Sequence, residues 1–121
     1  MLFRSVLRWV AHDLSAMNLR LMQMETAQSV DDAVRLAAGA GMPAQNLMVA
    51  DARGRIAWTV MGAIPRRPSN QDMGVPQDWS DGRSAWQGFL GADEQPRVVD
   101  PADGRLWTAN SRMVEIGRAY V

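Results

Sequence analysis

One histidine is the only side chain in this sequence whose unperturbed pKa lies near neutral pH. His12 stands beside Asp13, a pairing that could serve acid–base chemistry if both side chains faced the same site. Neighbouring residues on a strand point to opposite faces, however, so this pair is expected to end a strand and not to form a dyad. We therefore predict no catalytic or metal-binding role for His12.

Metal and cofactor chemistry have few candidate residues. The sequence has no cysteine, so thiolate catalysis and Cys-ligated zinc are excluded. Its carboxylates stand singly or at turns and caps, without ligand spacing. Gly39 and Gly41 follow a predicted helix, whereas a phosphate-binding loop precedes one. Arg66 and Arg67 are more typical of a solvated surface than of an anion site. We predict no metal and no cofactor.

Composition limits the other function classes. The 121 residues suit one small domain, and 47% of them are apolar. Thirteen basic residues, all arginine, balance thirteen acidic ones, which disfavours a nucleic-acid or anionic-membrane surface. No apolar run approaches the roughly 20 residues that cross a bilayer, and the first residues do not resemble a signal peptide. No serine has the context of a nucleophile elbow. Residue types alone therefore predict an α+β domain without a complete catalytic constellation.

The elements expected in the first third of the chain follow from apolar spacing. Residues 2–10 alternate in part and predict a half-buried strand. Apolar side chains then recur at three- and four-residue steps, which predicts a helical stripe that packs in the core; they are Leu14, Met17, Leu21 and Met24. Ser29 before Asp31 and Asp32 predicts the N-cap of a second helix that reaches about Ala38.

The clearest local signal is a hairpin over residues 46–61. Two strand-like runs flank residues 51–54, where Gly54 can take a positive φ. Residues 65–91 are irregular and rich in Pro and Gly, a length that is uncommon unless the loop is functional or held by a neighbour. Its Trp79, Trp86 and Phe89 need a packing surface. A second strand pair is expected from residues 97–99 and 106–109, joined by a turn.

Several motifs, in order, resemble the penicillin acylase family of amidases. The first is an Asn-led strand with an Ala-Asp-x-x-Gly-x-Ile turn over residues 45–58, which leads to a Gly-x-x-Pro-x-Arg-like exit over residues 60–66. The second is Trp86-x-Gly-Phe before a Pro-containing strand at residues 94–98. The third is a Pro-x-x-Gly turn within residues 100–104, followed by a strand that ends at Asn110. The resemblance covers roughly residues 7–115.

The resemblance implies the fold and mechanism of an N-terminal-nucleophile hydrolase. The expected fold is part of an αββα sandwich, with antiparallel strands and one or two N-terminal helices. A Ser freed by self-cleavage would attack a linear amide, with its own α-amino group as the base, and form an acyl-enzyme. Asn110 matches the side-chain donor of the family's oxyanion hole; the structural alternative is an Asn that ends a strand and bonds its own backbone. Gln45 matches a substrate-binding position in the acyl pocket that is apolar in well-known members, which weakens a phenylacetyl preference. Residues 71–74 match the family's calcium loop poorly, so no metal is assigned.

The resemblance also implies that other residues are required. The family's nucleophile lies upstream of the matched motifs, so residues 1–121 are interpreted as a single partial domain, an internal segment of the nucleophile-bearing subunit that is inactive alone. Its partners would be the remaining parts of the acylase and a small-molecule acyl amide, without nucleic acid or membrane. The alternative is a free-standing, non-enzymatic α+β binding or sensor module. Family members are often periplasmic, but the sequence itself does not indicate a compartment.

Overall fold

The computed structural model describes residues 5–68 and 75–108 as one α-helix and a three-stranded antiparallel sheet. The helix is α1 (Val30–Gly39), and the strands are β1 (Gln45–Ala50), β2 (Ile56–Met61) and β3 (Arg97–Val99), in the spatial order β1-β2-β3. Short 3₁₀ turns cover Val10–His12, Leu14–Ala16, Arg20–Thr26 and Ala92–Glu94. The predicted α+β class is confirmed. Over residues 5–68 and 75–108, none of the helices could span a bilayer.

Helix α1 begins and ends where the sequence predicts. The Ser29 hydroxyl accepts a hydrogen bond from the Asp32 backbone N–H at 3.1 Å, and Asp31 and Asp32 occupy the first turn, which suits the positive end of the helix dipole. The buried face carries small side chains, Ala33 and Ala37 among them. Because these side chains are small, the helix lies close to the sheet. The backbone N–H of the residue that follows β2 donates to the Ala37 carbonyl in the helix.

The hairpin predicted over residues 46–61 is also confirmed. β1 and β2 pair antiparallel, and Gly54 lies in the turn with a φ of 80°. The Asp51 carboxylate accepts from the backbone N–H groups of Arg53 and Arg55, and more weakly from that of Val30. One carboxylate thus organises the turn and joins it to the start of α1.

The core lies on both sides of β2. Trp58 and Val60 pack with Ile64 in one cluster, and partly buried side chains from three later parts of the chain join it: Leu90, Val98 and Leu106. Alternate residues of a strand point to opposite faces, and Ala57 is completely buried on the face opposite Trp58. The indole N–H of Trp58 donates to the Asn46 side-chain oxygen at 2.9 Å, which satisfies the buried polar atom.

The predicted strand at the N-terminus is wrong over the residues that are described. Residues 5–9 form no strand, and Leu7 is 79% exposed; Phe3 lies outside the described residues. The predicted helical stripe is also wrong, because Leu14, Met17 and Leu21 are exposed.

A side chain explains why the stripe does not form one helix. The Asn18 side-chain oxygen accepts from the backbone N–H groups of Arg20 and Gly41, both at 2.9 Å, and the Asn18 N–H donates to the Gly41 carbonyl. These bonds fix the backbone of Asn18 against a distant segment. The helical spacing of the apolar residues is therefore interrupted in the middle.

The second predicted strand pair is wrong in its pairing. β3 forms as expected, but it pairs with β2, and residues 105–108 form no strand; Ala109 lies outside the described residues. Two contacts select this pairing. The Thr59 hydroxyl donates to the Pro96 carbonyl at 2.9 Å, and the Asp100 carboxylate accepts from the Ile56 backbone N–H and from Arg55. The hydrogen bond from Arg55 is the main cause that lowers the pKa of Asp100.

Candidate functional site

A cavity of about 390 Å³ lies where β1 begins. It is lined by an N-terminal pair, Trp9 and Val10, by residues 43–46, by Val60, and by Ala63, Ile64, Pro65 and Arg67. Gln45, the substrate-binding residue expected from sequence, is the first residue of β1 and is exposed at this cavity. The walls are mostly apolar with a few polar groups, a composition that is common in small-molecule sites.

The backbone around Gln45 is held by the chain that leaves β2. Gln45 pairs with Met61, and Pro43 forms an isolated parallel bridge with Ala63. Gly62 lies between Met61 and Ala63 and has a φ of 103°. A Cβ at this position would lie 2.5 Å from the Met42 carbonyl oxygen. Only glycine fits such a position without strain. The close approach therefore fixes the segment that carries Gln45.

Arg67 joins this cavity to an aromatic cluster. Its guanidinium lies 5.6 Å from the Trp86 ring centroid, and the Arg8 guanidinium lies 4.6 Å from it. Trp86 also makes edge contacts with Trp79 and Phe89, so these aromatic residues pack on one another and on arginines. Burial lowers the pKa of Arg67.

The two neighbouring arginines are less solvated than their sequence predicts. Arg67 is partly buried, and Arg66 is also partly buried and pairs with Glu94. Sequence reasoning missed Arg67 and Trp9 as lining residues, because a contact between residues so distant in the chain leaves no local signal. The one available signal is that a Trp so close to the N-terminus needs a packing surface.

His12 and Asp13 form no dyad. His12 is exposed and meets the edge of the Trp9 ring, with 5.7 Å between the ring centroids. The Asp13 carboxylate instead accepts from the hydroxyl and the backbone N–H of Ser15, which lower the pKa of Asp13. Over residues 5–68 and 75–108, no three His, Cys, Asp or Glu side chains are close enough to hold a metal ion.

Asn110, the expected oxyanion donor, lies outside the described residues, as do the loop residues 71–74. The described chain that leads toward Asn110 is nevertheless anchored. Leu106 packs on the core cluster that contains Val60, and Val60 also lines the cavity beside Gln45. The described residues nearest to Asn110 in the sequence thus pack on the same core that supports the cavity.

The chain is similar in sequence to known acylases. The family model described as penicillin amidase matches residues 3–121. The penicillin acylase 2 proenzyme of Pseudomonas sp. (strain SE83) is 34% identical over 95 residues, which are 78% of this chain and 12% of that protein. The acyl-homoserine lactone acylase QuiP of Pseudomonas fluorescens (strain Pf0-1) is 38% identical over 74 residues, which are 61% of this chain and 9% of that protein.

A solved structure agrees with these matches. The thermostable penicillin G acylase from Alcaligenes faecalis superimposes with a TM-score of 0.67 at 25% sequence identity, over 79% of this chain and 17% of that one. The chain therefore has a fold similar to part of a penicillin acylase. It spans about 12% of the length of the first of these curated relatives.

Proposed function

Because the chain belongs to the penicillin amidase family, we propose that it is a segment of an amidohydrolase that cleaves linear acyl amides. The observation that carries the proposal is the cavity beside Gln45, which stands at the start of a strand in a fold similar to penicillin acylase. In the proposal, this segment contributes one wall of the acyl pocket and one donor to the oxyanion hole.

The proposed reaction proceeds through an acyl-enzyme. A Ser hydroxyl outside this segment attacks the amide carbonyl, and its proton passes to the α-amino group of the same residue. The tetrahedral intermediate places a negative charge on the former carbonyl oxygen, where Asn110 donates its side-chain N–H. Collapse breaks the C–N bond, and the leaving amine takes up the proton. Water then hydrolyses the ester and regenerates the hydroxyl.

Exposed apolar side chains favour a segment over a free-standing module. Val6 is 95% exposed, Leu14 is 89% exposed and Leu19 is 79% exposed, all within the N-terminal part of the chain. Large apolar side chains that are this exposed, and several within one part of the chain, are typical of a surface that contacts another structure. In the proposal, the remainder of an acylase therefore contacts these exposed side chains.

The proposal is tested by comparing the 121-residue chain with the longer acylase that contains it. We expect the chain alone to show no turnover of chromogenic acyl anilides, because the nucleophile and base of the proposal lie outside it. The longer protein should hydrolyse at least one of them. Turnover by the chain alone that survives repurification above a heat-killed control would contradict the proposal, as would a cooperative, monomeric folding transition with ligand binding.

A Gln45→Leu substitution tests the acyl pocket. In the longer acylase we expect kcat/KM for an aromatic acyl group to rise about three- to tenfold, because an apolar pocket gains on the order of 1 kcal/mol of discrimination per added apolar contact. Met48→Leu, an exposed change on the same strand, is the matched control. An equal change of kcat/KM in both variants, or no change in Gln45→Leu, would show that Gln45 does not line the acyl pocket.

A further inference from the structure

A second cavity, of about 780 Å³, shares Arg67 with the cavity beside Gln45. Its other described walls come from two parts of the chain, within residues 5–12 and 75–86. The volume lies in the range of about 300–1,000 Å³ that is common for small-molecule sites. The reaction proposed above uses none of the residues in these two parts, so the ligand of the second cavity has to be inferred from its own walls.

Two tryptophans form apolar walls of the second cavity. The rings of Trp79 and Trp86 meet edge to face, with 6.3 Å between their centroids and 65° between their planes. Trp79 is 36% exposed, so part of its ring is accessible to a ligand. Aromatic rings prefer offset-stacked or edge-to-face contacts with other rings. An angled pair of indoles therefore suits a flat aromatic group.

A guanidinium lies beside both indoles. The Arg8 guanidinium is 4.6 Å from the Trp86 ring centroid and 5.9 Å from that of Trp79, and all three residues line the second cavity. An arginine over an aromatic face interacts with the ring through its charge. Its N–H groups can still bind a carboxylate in a bidentate manner. The second cavity thus combines an apolar surface with an anion-binding group.

The charge of the second cavity is not neutralised by the described chain. Its described lining residues include no Asp and no Glu. Over residues 5–68 and 75–108, Arg8 forms no ion pair with a carboxylate. Asp13 is close enough for hydrogen bonds from Ser15, and then the charge of Arg8, to lower its pKa, but it does not line the cavity. A bound anion would therefore compensate a positive charge.

We propose that the second cavity binds an aryl carboxylate, with its ring against Trp79 and Trp86 and its carboxylate on Arg8. A small inorganic anion would leave the indole walls uncovered, and a neutral aromatic compound would leave Arg8 without a counter-ion. An aryl carboxylate satisfies both. The inference goes beyond the proposed function, because the site requires neither the nucleophile nor Asn110; only its test uses the longer acylase.

Calorimetric titration of the longer acylase with benzoate tests the site. Acetophenone, a neutral analogue of similar shape that has no amide bond, is the comparison ligand. We expect benzoate to bind about tenfold more tightly than acetophenone, because only the carboxylate forms a charge-assisted hydrogen bond. Arg8→Gln should weaken benzoate binding by about tenfold and change acetophenone binding by less than about threefold.

Arg83→Gln is the matched control for loss of one positive charge. Arg83 belongs to the same irregular part of the chain as Trp79 and Trp86, its side chain is 88% exposed, and it does not line the second cavity. This substitution should leave the affinity for both ligands unchanged. An equal loss of benzoate affinity in both variants would overturn the proposal, because the effect would then be one of net charge.

Two further results would overturn the proposal. One is an unchanged benzoate affinity in Arg8→Gln. The other is no benzoate binding by the parent protein together with a lower free energy of unfolding in Arg8→Gln, which would show that a carboxylate from the remainder of the acylase pairs with Arg8. Amidase activity is a separate readout. An active acylase without Arg8-dependent binding keeps the proposed function, whereas Arg8-dependent binding in a protein that hydrolyses no acyl anilide supports the site and contradicts that function.

Discussion

Replacement of Asn110 by alanine in the longer acylase is expected to lower kcat by about 10²–10³, which corresponds to roughly 3–4 kcal/mol of transition-state stabilisation. The side-chain amide is a neutral donor that needs no reorganisation when charge develops on the oxygen of the intermediate. KM should change little, because the ground-state carbonyl carries much less charge. Steady-state kinetics on one acyl anilide, with thermal unfolding of the same preparation, provides both measurements.

A structural asparagine supplies the matched control. Asn18 joins two distant backbone segments, through hydrogen bonds to Arg20 and Gly41 and through its own side-chain N–H to the Gly39 carbonyl. Asn18→Ala should therefore reduce the free energy of unfolding by about 1–3 kcal/mol while kcat stays near normal. If Asn110→Ala shows the Asn18 pattern, or keeps kcat within threefold of the parent, Asn110 is not an oxyanion donor.

The sequence predicted those elements whose signals are local. Ser29 and the acidic residues after it mark the start of α1 within a few positions, because a capping side chain bonds the backbone of its own turn. The hairpin depends on Gly54 and on Asp51, which bonds N–H groups two and four residues onward. Such interactions leave a trace in any short window of sequence.

The predictions that were wrong share a different cause, which is that they depend on contacts between residues far apart in the chain. The apolar spacing from Leu14 onward predicted a helix, but Asn18 bonds Gly41, which is distant in the chain and brought near only by the fold. β3 pairs with β2 because Thr59 meets the Pro96 carbonyl across a long connection. The cavity beside Gln45 depends on contacts between equally distant residues. The resemblance to a family could indicate Gln45 as a pocket residue, but no local pattern could indicate Arg67.

The contact between Asn18 and Gly41 carries the largest expected effect on folding. A Cβ at Gly41 would lie 1.9 Å from the Asn18 backbone nitrogen and 2.6 Å from the Met17 carbonyl carbon. Both are backbone atoms, so no side-chain rotation can relieve the overlap. Gly41→Ala must separate the two segments and break the bonds that join them, at a cost of about 3 kcal/mol or more.

Gly39→Ala is a close control for this substitution. Gly39 is the last residue of α1, and its added Cβ would lie 3.2 Å from the terminal nitrogen of Arg20, the flexible end of an exposed side chain. Alanine is also favoured over glycine in a helix by up to about 1 kcal/mol. Gly39→Ala should therefore be neutral or slightly stabilising. Urea unfolding of the longer acylase, with the soluble yield recorded beside it, compares the two variants.

The effect of Gly41→Ala should extend to the cavity. Gly41 is followed by Met42, whose carbonyl accepts from the Ala63 N–H at 3.2 Å, and then by Pro43, which lines the cavity. A displacement at Gly41 is transmitted along this short segment to Gln45. Where Gly41→Ala still folds, KM for the acyl substrate should rise while Gly39→Ala leaves it unchanged. Equal stability of the two variants would show that residues 17–18 do not contact Gly41 in the folded protein.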